Sequence, residues 1–190
     1  MGVFIHPSAE VNPNSQIGDG TKIWNNAHVR ERSIIGKNCV IGKDVYIDVG
    51  VVLGNNVKIQ NYVDVCDGVI LEDDVFIGPT VCFFNDLYPR SFPVDWKVVP
   101  TRVRRGCSIG GNCTIICGIE LGEYAMIAAG SLVSHNVLPF SLMRGNPARL
   151  VGFVCKNCHP MKQTEVGYVT AYECKKCNQK LTLNIQFEEK

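Results

Sequence analysis

An aliphatic or aromatic residue returns at every sixth position through most of this chain, and that period limits the possible fold more than any other feature of the sequence. A period of six matches neither the 3.6-residue turn of a helix nor the two-residue alternation of a strand, so it indicates a repeat architecture. We call these residues the anchors. The first series is Ile5, Val11, Ile17, Ile23, Val29, Ile35, Ile41, Ile47, Leu53, Ile59, Val65, Leu71, Ile77 and Phe83. A second series, in a new phase, is Val103, Ile109, Ile115, Leu121, Ile127 and Val133.

A second inward position accompanies the anchors. Two residues before most of them the chain carries a small or β-branched residue, such as Ser15, Cys39 or Val57. Two inward side chains separated by one outward residue are what a short strand presents to a core. Glycine follows many anchors and permits a tight corner. Three such sides make a coil of 18 residues, so the sequence predicts an all-β parallel β-helix.

Composition narrows the class of protein. The 190 residues are 46% hydrophobic, which is enough for one core and a small appendage. The net charge is +1 with no block of like charges, so we expect no nucleic-acid partner. No apolar run reaches membrane length, and the first residues lack the apolar centre of a signal peptide. Ten cysteines without such a signal favour reduced thiols or a metal site. We therefore expect a soluble, cytoplasmic protein without membrane insertion.

The break between the two anchor series predicts a protruding loop at residues 84–102, and long loops on rigid scaffolds often carry function. Residues 18 apart should stack on neighbouring coils, which places Asp67 beneath Asn85 at the root of the loop. A carboxylate beside an amide could hold and orient a substrate amine. A second outward column contains His28, which is either a catalytic candidate or an ordinary structural histidine.

Four cysteines near the end of the chain have the spacing of a zinc site. They follow C-x2-C-x15-C-x2-C, which is typical of a four-thiolate zinc ribbon, and are Cys155, Cys158, Cys174 and Cys177. Four thiolates leave no open position, so the zinc should be structural. We expect the repeat to end at Leu138–Pro139, a β-helix domain over residues 1–153 and a ribbon over 154–190 that caps the open end. Its strands should lie at 167–172 and 181–187, with His159 as a bystander.

Four segments of the repeat have a recognisable sequence, and they are Ile17–Trp24, Val57–Asn61, Leu71–Pro79 and Arg144–Arg149. They resemble the hexapeptide-repeat N-acetyltransferases of nucleotide-linked amino sugars, such as the UDP-2-acetamido-3-amino-2,3-dideoxyglucuronate and dTDP-amino-sugar N-acetyltransferases. The resemblance covers about residues 4–153. It implies a left-handed β-helix, a homotrimer, and acetyl-CoA bound in a groove between subunits. It implies cofactor contacts at Ala128, Ala129, Gly130, Pro147, Ala148 and Arg149. Substrate contacts are expected at Gln60, Asn61, Asp86, Tyr88 and Arg90.

The loop contains no histidine, and this favours an amine over a hydroxyl as the acceptor. A hydroxyl needs a base, whereas an amine with a pKa near about 8 is partly neutral at pH 7. Together with this absence, the resemblance implies N-acetylation of a UDP- or dTDP-linked amino sugar in surface-glycan synthesis, with Asn85 and Asp67 orienting the amine. The alternatives are a hexapeptide O-acetyltransferase, a γ-class carbonic anhydrase on the same fold, and a non-enzymatic scaffold.

Overall fold

The computed structural model describes residues 2–92, 96–165 and 169–184, and in these residues every regular element is a strand. Most strands are two residues long. They are β1 Phe4–Ile5, β2 Glu10–Val11, β3 Gln16–Ile17, β4 Lys22–Ile23, β5 His28–Val29, β6 Ile34–Ile35, β7 Val40–Ile41, β8 Tyr46–Ile47, β9 Val52–Leu53, β10 Lys58–Ile59, β11 Asp64–Val65, β12 Val69–Leu71, β13 Phe76–Ile77, β14 Cys82–Phe83, β15 Thr101–Val103, β16 Ser108–Ile109, β17 Thr114–Ile115, β18 Glu120–Leu121, β19 Met126–Ile127, β20 Leu132–Val133, β21 Ser141–Arg144, β22 Arg149–Phe153, β23 Lys162–Glu165, β24 Val169–Glu173 and β25 Lys180–Asn184.

Three parallel sheets form the sides of a prism, and consecutive strands visit them in turn. Sheet A is β1-β4-β7-β10-β13-β16-β19-β21-β22, sheet B is β2-β5-β8-β11-β14-β17-β20, and sheet C is β3-β6-β9-β12-β15-β18. Strands pair in register with partners 18 residues away, as Lys58 does with Phe76. Across the loop the separation grows, so that Phe76 pairs with Ser108. The predicted all-β parallel β-helix of hexapeptide repeats is confirmed. We call the segment that leads from sheet A to sheet B the AB corner, and the segment from B to C the BC corner.

The anchors form one continuous core along the axis of the prism. From Ile23 to Val133 every anchor is buried, together with the small residues of the second inward position. Full burial of one such side chain contributes roughly 1.5–3 kcal/mol, so the repeated anchors stabilise the whole stack. Ile5 is exposed, and Val11 and Ile17 are only partly buried. These three belong to the first coil, which has no coil below it.

The corners need backbone conformations that few residues adopt. A Cβ on Gly18 would lie 2.6 Å from the carbonyl carbon of Gly36 on the next coil, so only glycine fits there. Other corners place a residue in the left-handed region, mostly glycine, asparagine or aspartate. Thr80, with a φ of 57°, is a β-branched exception. The glycine, asparagine and aspartate residues that recur at the corners of the repeat are therefore required by the close stacking of the coils and by the left-handed backbone there.

The helix continues beyond the point where the sequence predicted its end. Strand β21 pairs in parallel with β19 and adds a further rung to sheet A, with Ile127 opposite Met143. Ser141 fills the small inward position and is fully buried. The spacing between these partners is shorter than the regular 18 residues, which is why the six-residue count missed this rung. The antiparallel strand β22 then turns back along β21.

The last part of the chain is a three-stranded antiparallel sheet of β23, β24 and β25. The predicted strands at 167–172 and 181–187 correspond to β24 and β25, although residues 167–168 and 185–187 lie outside the described residues. A small hydrophobic cluster joins this sheet to the top of the helix, with Phe153 against Tyr172 and Phe140 packed alongside. Phe140 in turn stacks on Tyr124 of the last full coil, with 5.3 Å between ring centroids. Among the described residues, no helix has the length and apolar character needed to cross a membrane.

Candidate active site and metal centre

The strand register bears on the residues at the root of the loop, on the BC corner. The ladder pairs Asp64 with Cys82 and Cys82 with Thr114. If this register is extended by three residues along each coil, Asp67, Asn85 and Cys117 are expected on successive rungs. The sequence predicted the first two as neighbours. It did not predict Cys117 as the upper neighbour of Asn85, because the loop interrupts the count of 18.

Burial raises the pKa of the Cys117 thiol, which therefore stays protonated at neutral pH. The same holds nearby, where burial raises the pKa of Cys66 to about 12 and its sulfur lies 2.8 Å from the carbonyl oxygen of Phe83. Burial also raises the pKa of the Cys82 thiol. A thiol that keeps its proton is a poor nucleophile, so none of the three has the properties of a catalytic cysteine.

The loop encloses a cavity of about 410 Å³. Three of the predicted substrate-binding residues, Asp86, Tyr88 and Arg90, line it together with Phe92 and Trp96. Asp86 also fixes the turn, because its carboxylate accepts the Tyr88 N–H at 2.8 Å. Aromatic walls with two cations, Arg90 and Lys97, and one carboxylate could bind a polar ring with a charged substituent.

The loop returns to the helix earlier than the sequence predicted. Strand β15 begins at Thr101, so the loop closes at residue 100 rather than at 102; residues 93–95 lie outside the described part. Thr101 occupies the small inward position before the anchor Val103 and is buried. The Val99 N–H donates to the Asn85 carbonyl at 3.0 Å and ties the two ends of the loop together.

A polar network lies on the coils below Asp67, and sequence reasoning missed it. One Asp48 oxygen accepts the Val49 N–H at 2.7 Å and the Tyr46 hydroxyl at 3.2 Å. The other accepts the Asp67 N–H at 3.3 Å. Arg30 donates to the Tyr46 hydroxyl at 2.9 Å. The sequence signal that could have revealed it is the pair of polar outward residues Arg30 and Asp48, which are 18 positions apart. The hydrogen bond from the Asp67 N–H to Asp48 holds the backbone of Asp67 in place.

Asp64 lies on the outer face of sheet B, between Tyr46 and Cys82. Desolvation by the surrounding protein, and then the negative charge of Asp48, raise the pKa of its carboxyl group above the usual range. His28, the other predicted catalytic candidate, lies on the same face and makes an edge contact with the Tyr46 ring at 5.4 Å. Its strand β5 is three rungs below β14, or roughly 14 Å from the coil of Asn85 at the normal strand spacing.

The predicted cofactor residues lie on the AB corner. Ala128, Ala129 and Gly130 connect β19 of sheet A to β20 of sheet B, and a Cβ on Gly130 would meet nothing within 4 Å. This part of the surface is open and lined by small side chains. Ala148 is placed beside it by a hydrogen bond from its N–H to the Leu132 carbonyl at 2.8 Å. The Ala148 side chain is buried in the core, which leaves the neighbouring Pro147 and Arg149 exposed.

Gln60 and Asn61, predicted to bind substrate, also lie on the AB corner and not at the loop. The Asn61 side-chain oxygen accepts the Lys43 N–H at 3.0 Å, which is a structural contact between coils. Sheet B therefore separates the predicted amine-orienting residues Asp67 and Asn85, on the BC corner, from the predicted cofactor residues on the AB corner. Gln60 and Asn61 lie on the cofactor side, although they were predicted to bind substrate.

Three of the four predicted zinc ligands come together in the C-terminal sheet, with a histidine as the fourth member. Potential ligand atoms of Cys155, His159, Cys174 and Cys177 all lie within 4.8 Å of one another. Cys158, the fourth predicted ligand, is exposed. Desolvation opposes ionisation of the Cys174 thiol, but hydrogen bonds from the Lys176 and Cys177 backbone lower its pKa to about 6. Sequence reasoning treated His159 as a bystander because the cysteine spacing alone satisfied a ribbon pattern.

Comparisons with known proteins agree with the repeat. A family model of the bacterial transferase hexapeptide (six repeats) matches residues 14–48 and 50–84. A model of the hexapeptide repeat of succinyl-transferase matches residues 33–65 and 100–135. The dTDP-3-amino-3,6-dideoxy-alpha-D-galactopyranose 3-N-acetyltransferase of Aneurinibacillus thermoaerophilus is 45% identical over 62 residues, 33% of this chain and 32% of that protein. Serine acetyltransferase 4 of Arabidopsis thaliana is 35% identical over 87 residues, 46% of this chain and 24% of that protein. These matches span about a third or less of the relatives' own length.

Solved structures share the fold. LpxA, a UDP-N-acetylglucosamine acyltransferase from Bacteroides fragilis, superposes with a TM-score of 0.68 at 18% identity, over 80% of this chain and 61% of that chain. The acetyltransferase domain of PglB from Neisseria gonorrhoeae, in complex with acetyl coenzyme A, gives a TM-score of 0.51 at 19% identity, over 78% and 57% of the two chains.

Proposed function

We propose that this hexapeptide-repeat protein, which resembles nucleotide-sugar N-acetyltransferases, transfers an acetyl group from acetyl-CoA to the amine of a UDP- or dTDP-linked amino sugar. The observation that supports the proposal most is the strand register at the BC corner, which pairs Asp64 with Cys82 and Cys82 with Thr114 and, extended by three residues, would stack Asn85 between Asp67 and Cys117 at the root of a histidine-free loop. The 45% identity to a dTDP-amino-sugar 3-N-acetyltransferase supports the substrate class.

In this reaction the acceptor amine needs to be oriented towards the thioester more than it needs a base to activate it. A sugar amine with a pKa near about 8 is partly neutral at pH 7 and is then nucleophilic without a base. The Asn85 side-chain oxygen and the Asp67 carboxylate would accept its N–H groups and point its lone pair at the acyl carbon. Backbone N–H groups at the corner would stabilise the oxyanion. Acetyl-CoA, when bound, supplies the thioester, and the departing thiolate is a suitable acceptor for the amine proton.

The separation of the two corners supports a homotrimer. In a closed ring of three prisms, the AB corner of one subunit can face the BC corner of the next. The open surface at Gly130, with Arg149 beside it, would then meet the Asn85 of a neighbour across a groove. We further propose that the helix is left-handed, as its I-G-x-x-x-x repeats suggest, that the protein works in the cytoplasm, and that zinc holds the C-terminal sheet as a ribbon that caps the helix.

The test is release of free thiol from acetyl-CoA by the purified chain, with UDP- and dTDP-linked 3-amino and 4-amino sugars as acceptors. A nucleotide sugar with only hydroxyl groups is the matched control. We expect turnover with one amino sugar and none with the control. Similarity to serine acetyltransferases makes L-serine a necessary further arm, because a hydroxyl acceptor is the second candidate. Turnover with L-serine or the hydroxyl sugar alone would overturn N-acetylation, and no turnover with any acceptor would leave the scaffold and carbonic anhydrase alternatives.

A further inference from the structure

The four residues grouped in the C-terminal sheet have the spacing of ligands around one ion. The Nδ1 of His159 lies 3.6 Å from the sulfur of Cys155 and 3.9 Å from the sulfur of Cys174. Zinc bonds of about 2.1 Å to nitrogen and 2.3 Å to sulfur, in a tetrahedron, place ligand atoms about 3.6–3.8 Å apart. The two nitrogen-to-sulfur spacings therefore match those around a tetrahedral zinc ion, and the Cys177 sulfur lies within 4.8 Å of the other three ligand atoms.

The backbone explains why His159 is inside and Cys158 outside. The Cys155 N–H donates to the His159 carbonyl at 3.0 Å, and Val154 pairs with Pro160, so that the turn closes on His159. Cys158 occupies the left-handed position of this turn, with a φ of 61°. Its side chain is exposed, and it is not among the four residues whose ligand atoms lie within 4.8 Å of one another.

The second turn of the ribbon is one residue longer, and this difference sets the ligands. There the Cys174 N–H donates to the Gln179 carbonyl at 2.9 Å, and the left-handed residue is Asn178. In the second turn the proposed ligand Cys177 comes directly before the left-handed residue Asn178. In the first turn the proposed ligand His159 comes directly after the left-handed residue Cys158. A side-chain bridge joins the two turns, because the Lys156 N–H donates to the Gln179 amide oxygen at 3.0 Å. Identical C-x2-C spacings thus fold into two different turns.

The surroundings suit a structural ion. Cys155 and Cys174 are buried beside Phe153 and Met161, and Tyr172 packs against them. Four protein ligands complete the tetrahedron and leave no position for water or substrate. Three thiolates and a neutral imidazole give the zinc site a net charge of −1, which costs less to bury than the −2 of four thiolates.

We propose that the C-terminal sheet binds one zinc ion through Cys155, His159, Cys174 and Cys177, and that Cys158 is a free thiol. This assignment deepens the zinc proposal above and is independent of the acetyltransferase activity. It predicts that the two adjacent residues, Cys158 and His159, respond to substitution in opposite ways.

The experiment compares Cys158→Ser and His159→Ala in the full chain. Zinc content and affinity are measured by competition with a chromogenic chelator, and the cobalt-substituted proteins are examined for sulfur-to-metal charge-transfer absorption. We expect Cys158→Ser to keep one zinc per chain and an unchanged cobalt spectrum. His159→Ala should bind zinc more than about tenfold more weakly, the loss that even an outer-shell substitution can produce. Alkylation of the native wild-type protein, mapped by mass spectrometry, should label Cys158 and spare Cys155, Cys174 and Cys177.

Other outcomes contradict the assignment. Loss of zinc in Cys158→Ser, with or without loss in His159→Ala, would make Cys158 a ligand. Retention of full affinity in His159→Ala would remove the histidine from the site. A wild-type chain that binds no zinc would overturn the metal site as a whole, while leaving the thiol-release assay to decide the enzyme activity separately.

Discussion

At the scale of single residues, Asp64 gives the most direct prediction. Its carboxyl pKa is raised by desolvation and by the Asp48 charge, so its ionised form is disfavoured in the folded protein. Above the folded-state pKa this penalty is fully present. It is relieved as the pH falls through that pKa and is absent below the unfolded value of about 3.9. Asp64→Asn should therefore raise the free energy of unfolding at pH 7, and the gain should vanish in acid. Denaturant unfolding as a function of pH measures it.

Glu31 is the matched control for Asp64, because its carboxyl pKa is shifted in the opposite direction, downward. A hydrogen bond from Arg30 lowers the pKa of its carboxyl group, so its stabilising contribution is present at neutral pH and disappears as the pH falls through the folded-state pKa. Glu31→Gln should destabilise the protein at pH 7 and have little effect in acid. If Asp64→Asn and Glu31→Gln shifted stability in the same direction at pH 7, the electrostatic explanation for Asp64 would be wrong.

The sequence predicted residues well where a position has only one structural requirement. The anchors must be apolar and the tight corners must tolerate a left-handed backbone, and both requirements appear directly as residue types. Cys117 and Asp48 were not predicted as parts of the site, because their roles depend on which coil lies above or below. Our proposal of His159 in place of Cys158 has a related origin, since the turn that places the two side chains is set by backbone pairing and not by spacing.

At the scale of elements, the loop is positioned by two glycines of the BC corner. Gly68 packs against Val98, and a Cβ on Gly118 would lie 2.9 Å from a Val99 methyl carbon. Gly118→Ala should displace the end of the loop around Val99 and disturb the cavity lined by Tyr88 and Trp96. We expect the KM for the amino-sugar acceptor to rise several-fold, while the KM for acetyl-CoA changes little. Steady-state kinetics with each substrate varied in turn provides the measurement.

Gly50→Ala separates this effect from backbone strain. Gly50 occupies the same corner three coils below Gly118, with a φ of 69° against 79°, and the nearest atom to its added Cβ is an Asp67 oxygen at 3.7 Å. Both variants carry the strain of a left-handed alanine and should lose similar thermal stability. Only Gly118→Ala should change the acceptor KM. An equal change in both variants would show that strain, and not loop displacement, is responsible.

The elements differ in how far the sequence determines them. Strands that obey the count of six were predicted one by one. The boundary at Thr101 and the extra rung at β21 were missed, because both lie where the count is interrupted. After the loop, and again before Ser141, packing against the coil below decides which residue is the first to point into the core. The six-residue period within one segment does not show where the next segment starts its count.

At the scale of the whole molecule, the corners that carry the proposed acceptor and cofactor residues lie on opposite sides of sheet B, and this makes the proposed homotrimer testable through activity. Asn85→Ala removes the acceptor half of the site, and Ala129→Trp places a bulky side chain on the exposed cofactor half. Each variant alone should be inactive. When the two are co-expressed with different tags and purified through both tags, every mixed trimer contains one interface at which both halves are intact. Such trimers should show about a third of the wild-type thiol-release rate, as expected for a closed ring with head-to-tail interfaces.

A second pair of variants controls for non-specific rescue. Asn85→Ala co-expressed with Asp67→Ala leaves the BC corner of every subunit defective, so no interface can combine two intact halves and activity should stay at the background level. If the site were completed within a single chain, the Asn85→Ala and Ala129→Trp mixture would be just as inactive as this control. Restored activity in the first mixture alone would therefore mean that the AB corner of one subunit works with the BC corner of its neighbour, which is the arrangement that we propose from the positions of Asn85 and Gly130 on opposite sides of sheet B.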